Sequence, residues 1–269
     1  MPFFDHAGLR FNYLDLGQGV PFVFQHGLGA SVQQPLDLYL PQPGFRFISM
    51  DCRAHGETRP LGDPRRLRFD TFADDLLALL DALAVPQAVV GGVSMGAGLA
   101  LNFALRYPAR TLGLVLSRPA WLDRPLPDNL LSLPRIAHYL RQFGPEAGFE
   151  QYQANEGWDA LVAASPDTAD SVARQFADAW AVEAVARLEQ IPNDVPNRDR
   201  AEWAAIRVPT LVLANRQDPV HVFEYGQVLA RAIPGAEFKE LTAKSVSRDR
   251  YRLESQTTLA DFLRAHFGE

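Results

Sequence analysis

Val89-Val90-Gly91-Gly92-Val93-Ser94-Met95-Gly96-Ala97-Gly98 runs from an apolar stretch, through a glycine-flanked serine, into small residues that continue to Ala104. The apolar stretch reads as a buried strand and the small-residue run as the start of a helix. Gly92-Val93-Ser94-Met95-Gly96 fits the pattern G-x-S-x-G. A serine at a sharp strand-to-helix turn takes a strained backbone conformation, and small neighbours let the chain reverse tightly. The hydroxyl is left exposed, with the next backbone N–H beside it at the positive end of a helix. Two readings of Ser94 follow, a nucleophile or a plain glycine-rich turn. The strand–turn–helix context favours the nucleophile.

Working outward, Leu9 to Leu16 alternates apolar and polar residues and predicts a strand, as do Val20 to Gln25, Phe45 to Met50 and Thr111 to Ser117. Thr71 to Leu83 carries leucines at helical spacing, and Ser94 to Tyr107 reads as a helix stopped by Pro108. Strand and helix therefore alternate through the first half of the chain, the pattern of a parallel sheet with helices on both faces. From Pro119 to about Arg200 helical patterns stand alone: Asn129 to Phe143, Glu146 to Ala164 and Thr168 to Gln190. Thr210 to Ala214 resumes the strand pattern, followed by a helix over Phe223 to Ile233, a strand over Phe238 to Leu241 and a closing helix over Leu253 to Phe267. The expected division is a core of residues 1–118 and 201–269, with a helical insertion, 119–200, over the sheet's C-terminal edge. Open sheets of this class bind ligands at that edge.

The chain has 269 residues, 47% of them hydrophobic and 22% charged, which suits one globular domain with a large core. A net charge of −6 without a basic patch argues against a nucleic-acid partner. The lone cysteine, Cys52, excludes an internal disulfide and fits a reducing compartment. No basic-then-apolar leader opens the sequence and no apolar run is long enough to span a bilayer, so a cytoplasmic chain with no membrane partner is expected. No Cys/His cluster has metal-ligand spacing, and no metal or organic cofactor is expected.

The chain resembles the α/β-hydrolase fold family. Four features in order carry the resemblance: His26-Gly27-Leu28-Gly29, Asp51-x-Arg53-x-His55-Gly56, Gly92-x-Ser94-x-Gly96 and Asn215-Arg216-Gln217-Asp218-Pro219. The resemblance implies an α/β fold with a mostly parallel eight-stranded sheet flanked by helices, a helical cap, and a Ser–acid–His triad in that chain order. Residue by residue, Ser94 matches the nucleophile and Asp218 the acid that orients the histidine. The backbone N–H groups of Leu28 and Met95 match the donors of an oxyanion hole. The family's histidine follows the last strand. Here Leu241 to Tyr251 contains none, and Lys244-Ser245 fall where Gly-His is expected.

Six histidines could supply the missing base. His26 and His55 lie in loops that match scaffold positions. His6 and His266 lie near the termini and are expected in solvent, and His138 falls on a helix of the insertion. His221, three residues after Asp218 and just ahead of a predicted helix, is different. The positive field of a helix N-terminus disfavours imidazolium and keeps the ring in the neutral form a base needs. Its competing reading is a pocket-wall or capping histidine. Lys244 is the next candidate, with a solvated surface lysine as the simpler reading. Among the aromatic residues of the insertion, Trp121 directly follows the strand ending at Ser117 and is expected in the substrate pocket.

The expected activity is serine-nucleophile hydrolysis of carboxylic esters or related acyl compounds (thioesters, lactones, amides) in an apolar, capped pocket. The small acyl substrate is the expected partner of a monomeric or homodimeric chain. Two other classes stay open: a ligand-binding protein that lost the base, and an acyltransferase using the same serine.

Overall fold

A computed structural model describes residues 2–268 of the chain. In chain order the elements are β1 Phe3–His6, β2 Leu9–Gly17, β3 Val20–Gln25, α1 Gln33–Leu38, β4 Phe45–Met50, α2 Phe69–Ala82, β5 Ala88–Val93, α3 Met95–Arg106 and β6 Thr111–Ser117. Then come α4 Ser132–Phe143, α5 Pro145–Asn155, α6 Trp158–Ala164, α7 Pro166–Ala177 and α8 Arg187–Gln190. The chain closes with β7 Thr210–Ala214, α9 Phe223–Ala232, β8 Glu237–Glu240 and α10 Arg248–Phe267. The strands form one eight-stranded sheet in the order β1-β2-β4-β3-β5-β6-β7-β8. β1 and β2, and β2 and β4, pair antiparallel; every later pairing is parallel.

The period-two alternation of the strands builds a core on each face of this sheet. Val23, Ile48, Met50, Val90, Leu114, Leu116 and Val212 point to one face, where they meet Phe72, Leu76 and Leu79 of α2, Leu99 and Phe103 of α3 and Leu229 of α9. Phe22, Phe24, Phe47, Val89, Val115, Leu211 and Leu213 point to the other, against Leu38 of α1 and Leu259, Phe262 and Leu263 of α10. Helices on both faces explain why the inner strands read as unbroken apolar runs.

The segment between β6 and β7 is helical and builds its own small core. Ile136 and Leu140 of α4, Tyr152 of α5, Val172 and Phe176 of α7 and Leu188 of α8 pack together. Side chains pin it to the sheet domain. Arg187, 2% exposed, donates from Nη1 to the Ala54 carbonyl at 3.0 Å and from Nη2 to Asp178 at 2.6 Å. Asn129 donates to the carbonyls of Ala120 and Val220, and Asp194 accepts from the Phe69 amide that opens α2.

The elements depart from the sequence reading in several places, among them the unforeseen α1 and an α10 that starts at Arg248 rather than Leu253. The helix expected over Glu146 to Ala164 is two helices, parted at Gly157, whose φ of 66° is left-handed. The helix expected over Thr168 to Gln190 begins at Pro166, ends when Asp178 turns extended, and resumes only as the single turn α8. Finally, β1 had no sequence signal of its own. It is tied to β2 by a two-residue turn, Ala7-Gly8, with φ of 49° and 77°. Two positive φ values make the tight hairpin turn that usually takes Asn-Gly or Asp-Gly.

Candidate active site

Ser94 sits between β5 and α3 with φ 58° and ψ −114°, a conformation a serine adopts only when its surroundings impose it. Its amide donates to the Ser117 carbonyl of β6 at 2.9 Å, and α3 starts at the next residue. The flanking glycines are required by contact. A Cβ at Gly92 would come within 2.4 Å of the Gly96 backbone, and one at Gly96 within 2.3 Å of the Gln25 carbonyl oxygen. The Ser94 hydroxyl forms no hydrogen bond with any described residue.

Ser94 lines a cavity of about 70 Å³ together with Leu28, Trp121, Leu130, Leu133, Ile136, Val172, Val220, His221 and four further polar residues. Most of this wall is apolar. α4 and α7 supply one side of it and the sheet domain the other. Trp121, 2% exposed, is one of the residues lining this cavity, packed edge-on against Phe69 with ring centres 5.2 Å apart.

His221 lies in the loop between β7 and α9. Its Nδ1 is 3.0 Å from each carboxylate oxygen of Asp218, and its backbone amide donates to Oδ1 at 3.0 Å. Two acceptors at Nδ1 place the proton there and leave the lone pair on Nε2. That Nε2 is buried and has no partner among the described residues. Burial lowers the basicity of His221; the Asp218 carboxylate pulls it back up and the Arg118 guanidinium presses it down, leaving it below the ordinary histidine value. Asp218 is held far below the usual carboxylate range. Burial works to raise it, but His221 and Arg118 outweigh that, and Arg118 is the charge that remains when the imidazole is neutral.

The sequence reading missed Arg118. It follows β6 directly, at φ 48°, and is 5% exposed. Its Nε and Nη2 donate to Asp218 Oδ2 at 2.9 and 2.5 Å, and Nη2 lies 3.6 Å from Asp167. No local motif marks it, because its partner stands 100 residues away in sequence.

The amides of Leu28 and Met95 donate to no described acceptor. The Leu28 loop is held from beneath. Gly27 N–H donates to Gln34 Oε1 at 2.7 Å, and Ala30 N–H closes a turn onto Gly27. His26 is fully buried, with Nδ1 2.8 Å from the Gly27 carbonyl and Nε2 accepting from Cys52 N–H at 3.0 Å. Both ring nitrogens are occupied, and burial keeps the ring neutral despite Asp51 nearby. His55 is buried against the Arg53 carbonyl, its ring 5.0 Å from that of His26. Asp51 binds the Val32, Glu57 and Asn12 donors and so ties these loops together.

The other histidines lie away from the cavity. His138 is exposed on α4. His266 is exposed and pairs with Glu237 at 2.7 Å. His6, expected in solvent, is half-buried, 3.5 Å from Asp75, because the unforeseen β1 hairpin folds it over the buried Arg53–Asp75 pair. Lys244 also differs from the solvated reading. It is half-buried, with Nζ 5.0 Å from the centre of the Tyr251 ring, and burial, then Arg118, lowers it to about 8. Among the described residues, no helix is long and apolar enough to cross a membrane and no group of three or more His, Cys, Asp or Glu is placed to hold a metal ion.

A family model described as alpha/beta hydrolase fold matches residues 20–244. The chain is 28% identical over 244 residues to an AB hydrolase superfamily protein of Bacillus subtilis, covering 83% of each sequence. It is 29% identical over 252 residues to 3-oxoadipate enol-lactonase 2 of Acinetobacter baylyi, covering 88% of this chain and 86% of that one. The crystal structure of the enol-lactonase from Burkholderia xenovorans superposes with a TM-score of 0.74 at 24% identity, covering 97% of this chain and 99% of that one. At that identity the likeness concerns the fold.

Proposed function

We propose that this chain, which belongs to the alpha/beta hydrolase fold family, is a serine hydrolase of carboxylic esters or lactones that uses His221 in place of a histidine after the last strand. The observation that carries the reading is the state of His221. Asp218 takes its Nδ1, while its unpartnered Nε2 belongs to a ring lining the same cavity as Ser94. A neutral imidazole oriented by a carboxylate, with a free lone pair, is what a serine hydroxyl needs to become a nucleophile.

In this reading Ser94 Oγ attacks the substrate carbonyl as its proton passes to His221 Nε2. Asp218 stabilises the imidazolium and stays ionised. The negative charge that develops on the carbonyl oxygen is received by the N–H groups of Leu28 and Met95, both without an acceptor among the described residues. His221 then gives the proton to the departing alkoxide. Water, activated by the same imidazole, attacks the acyl-serine and releases the acid and Ser94. The helices between β6 and β7 act as a cap whose apolar side chains exclude bulk water and favour an apolar acyl portion. The sequence relative named 3-oxoadipate enol-lactonase 2 supports the substrate class; the fold alone does not select it.

The test is hydrolysis of a panel of short and medium carboxylic esters and lactones by the wild type, Ser94→Ala and His221→Ala. Turnover by the wild type that vanishes in Ser94→Ala and collapses in His221→Ala supports the reading. Undiminished turnover in His221→Ala removes His221 from the mechanism. A wild type that hydrolyses nothing but is stabilised by small ligands is a binding protein instead.

A further inference from the structure

Beside the Ser94 cavity lies a second, larger one of about 440 Å³. Three residues, Leu28, Ser171 and Gln175, line both. The partition between them is slight: Gln175 Nε2 meets the Leu28 carbonyl only at 3.5 Å, and Gln175 Oε1 has no partner although the residue is 5% exposed. The walls of the larger cavity differ in character from those of the smaller one. They carry Arg174, Lys244, Arg248 and Arg252, against Asp37, Asp167 and Asp249.

These cations are not equivalent. Arg248 is paired with Asp170 and Arg252 with Asp249. Lys244 and Arg174 form no ion pair or hydrogen bond with any described residue. Lys244 rests over the Tyr251 ring, and Arg174 stands exposed at the rim. A half-buried ammonium without a carboxylate is costly, and a second cation nearby adds to the cost. Tyr251 is a third donor of the same wall: 2% exposed, with a hydroxyl that has no partner among the described residues. Two cations with no carboxylate in ion-pair range and an unused hydroxyl donor around one cavity make a receptor for an anion, although Asp37, Asp167 and Asp249 also line it.

We propose that this second cavity receives a carboxylate of the substrate, held by Lys244 and Arg174 with the Tyr251 hydroxyl, so that the preferred substrate is an ester or lactone carrying a carboxylate beyond the carbonyl that Ser94 attacks. The scissile carbonyl occupies the apolar cavity and the charged end passes Gln175 into the basic one. The proposal rests on the hydrolase reading above and narrows it. It departs from the simplest inference from the apolar residues around Ser94, which is that uncharged esters are favoured throughout.

The experiment compares monoethyl esters of linear dicarboxylic acids with ethyl esters of monocarboxylic acids of the same length, for the wild type, Lys244→Met and Arg174→Met. The expected result is a wild-type selectivity, read as the ratio of the two kcat/KM values, of at least about tenfold for the carboxylate series at one chain length. A charge-assisted hydrogen bond supplies that much. Each variant should lose most of the ratio through KM. A wild-type ratio at or below one, or a ratio unchanged in both variants, overturns the proposal while leaving the hydrolase reading intact. If no ester is turned over, the hydrolase reading fails, and calorimetric titration with the free dicarboxylates decides the cavity separately. Binding that weakens about tenfold in Lys244→Met keeps it as an anion site; no binding by the wild type ends it.

Discussion

Arg118 and His221 are bonded to one and the same carboxylate, that of Asp218. The arginine directly follows the central strand β6 and the histidine lies in the loop after β7, so one side chain fastens two strand ends. A carboxylate with two cationic or potentially cationic neighbours stays ionised at any working pH. It therefore serves as a fixed anchor for the imidazole rather than as a proton carrier.

Ser94→Ala should abolish ester hydrolysis, and His221→Ala should lower kcat/KM by about 100- to 10,000-fold, the usual range for a lost general base. Circular dichroism and the melting temperature should change little for Ser94→Ala, since its hydroxyl bonds to nothing described. Comparable kcat/KM in His221→Ala and the wild type would rule the histidine out.

The pH profile follows from the same ring. His221 must be neutral to accept a proton, and its basicity lies below the ordinary value of 6.5. Activity should thus rise with pH along a limb centred below 6.5 and be level by neutrality. Arg118 contributes to that depression, so Arg118→Met should move the limb to higher pH. A limb centred above 7 in the wild type would contradict the assignment.

Arg118→Met should also destabilise the fold by about 3–5 kcal/mol, because it leaves the Asp218 carboxylate buried without its guanidinium. The sign of the pH effect is fixed. Asp218 is depressed in the folded chain, so its stabilisation is present above the unfolded carboxyl value and lost only as pH falls through the folded one. The loss in the variant should therefore be evident at pH 7 and shrink in acid. Chemical denaturation at several pH values measures both effects.

Lys244 offers a second titration. Its amine, facing Arg118, Arg174, His221, Asp167, Asp218 and the Tyr251 ring, is lowered to about 8. Carboxylate recognition needs the ammonium, so KM for a dicarboxylic monoester should rise as pH passes 8, while KM for the uncharged ester stays level. A bound anion favours the proton, so the midpoint should shift upward at saturating substrate. Identical pH profiles of KM for the two esters would count against the role.

Gly96→Ala places a methyl group 2.3 Å from the Gln25 carbonyl. The clash is with the Gln25–His26 backbone and cannot be relieved by a side-chain rotation. A cost of about 1–3 kcal/mol is expected, with loss of activity even where the variant folds, since the turn that presents Ser94 must shift. Thermal unfolding and ester turnover on the same preparation would check both.

The order of strands and helices was legible because burial on both sheet faces leaves a direct signature: unbroken apolar strands, leucines every three or four residues, glycines where backbones touch. The Gly92–Gly96 turn was legible for the same reason. What escaped was set by pairings distant in sequence. Arg118 meets Asp218 across 100 residues, Arg187 meets Ala54 across 133, and nothing beside either arginine announces the partner. β1 escaped because its turn uses Ala7, an unusual residue at positive φ. Lys244 reads as a surface lysine until α7 and α10 are placed on either side of it.

The cavity shared by Ser94 and His221 measures about 70 Å³, several-fold below the roughly 300–1,000 Å³ of sites that enclose a small molecule. Its ceiling consists of side chains from α4 and α7, on a segment with a core of its own. An acyl chain of useful length finds room only while those helices stand back. On the proposed hydrolase reading, separation of these helices is expected to limit turnover, on the microsecond-to-millisecond times usual for such cap motions. The corresponding expectation is that kcat falls as solvent viscosity rises, and falls more for bulky acyl chains than for slender ones.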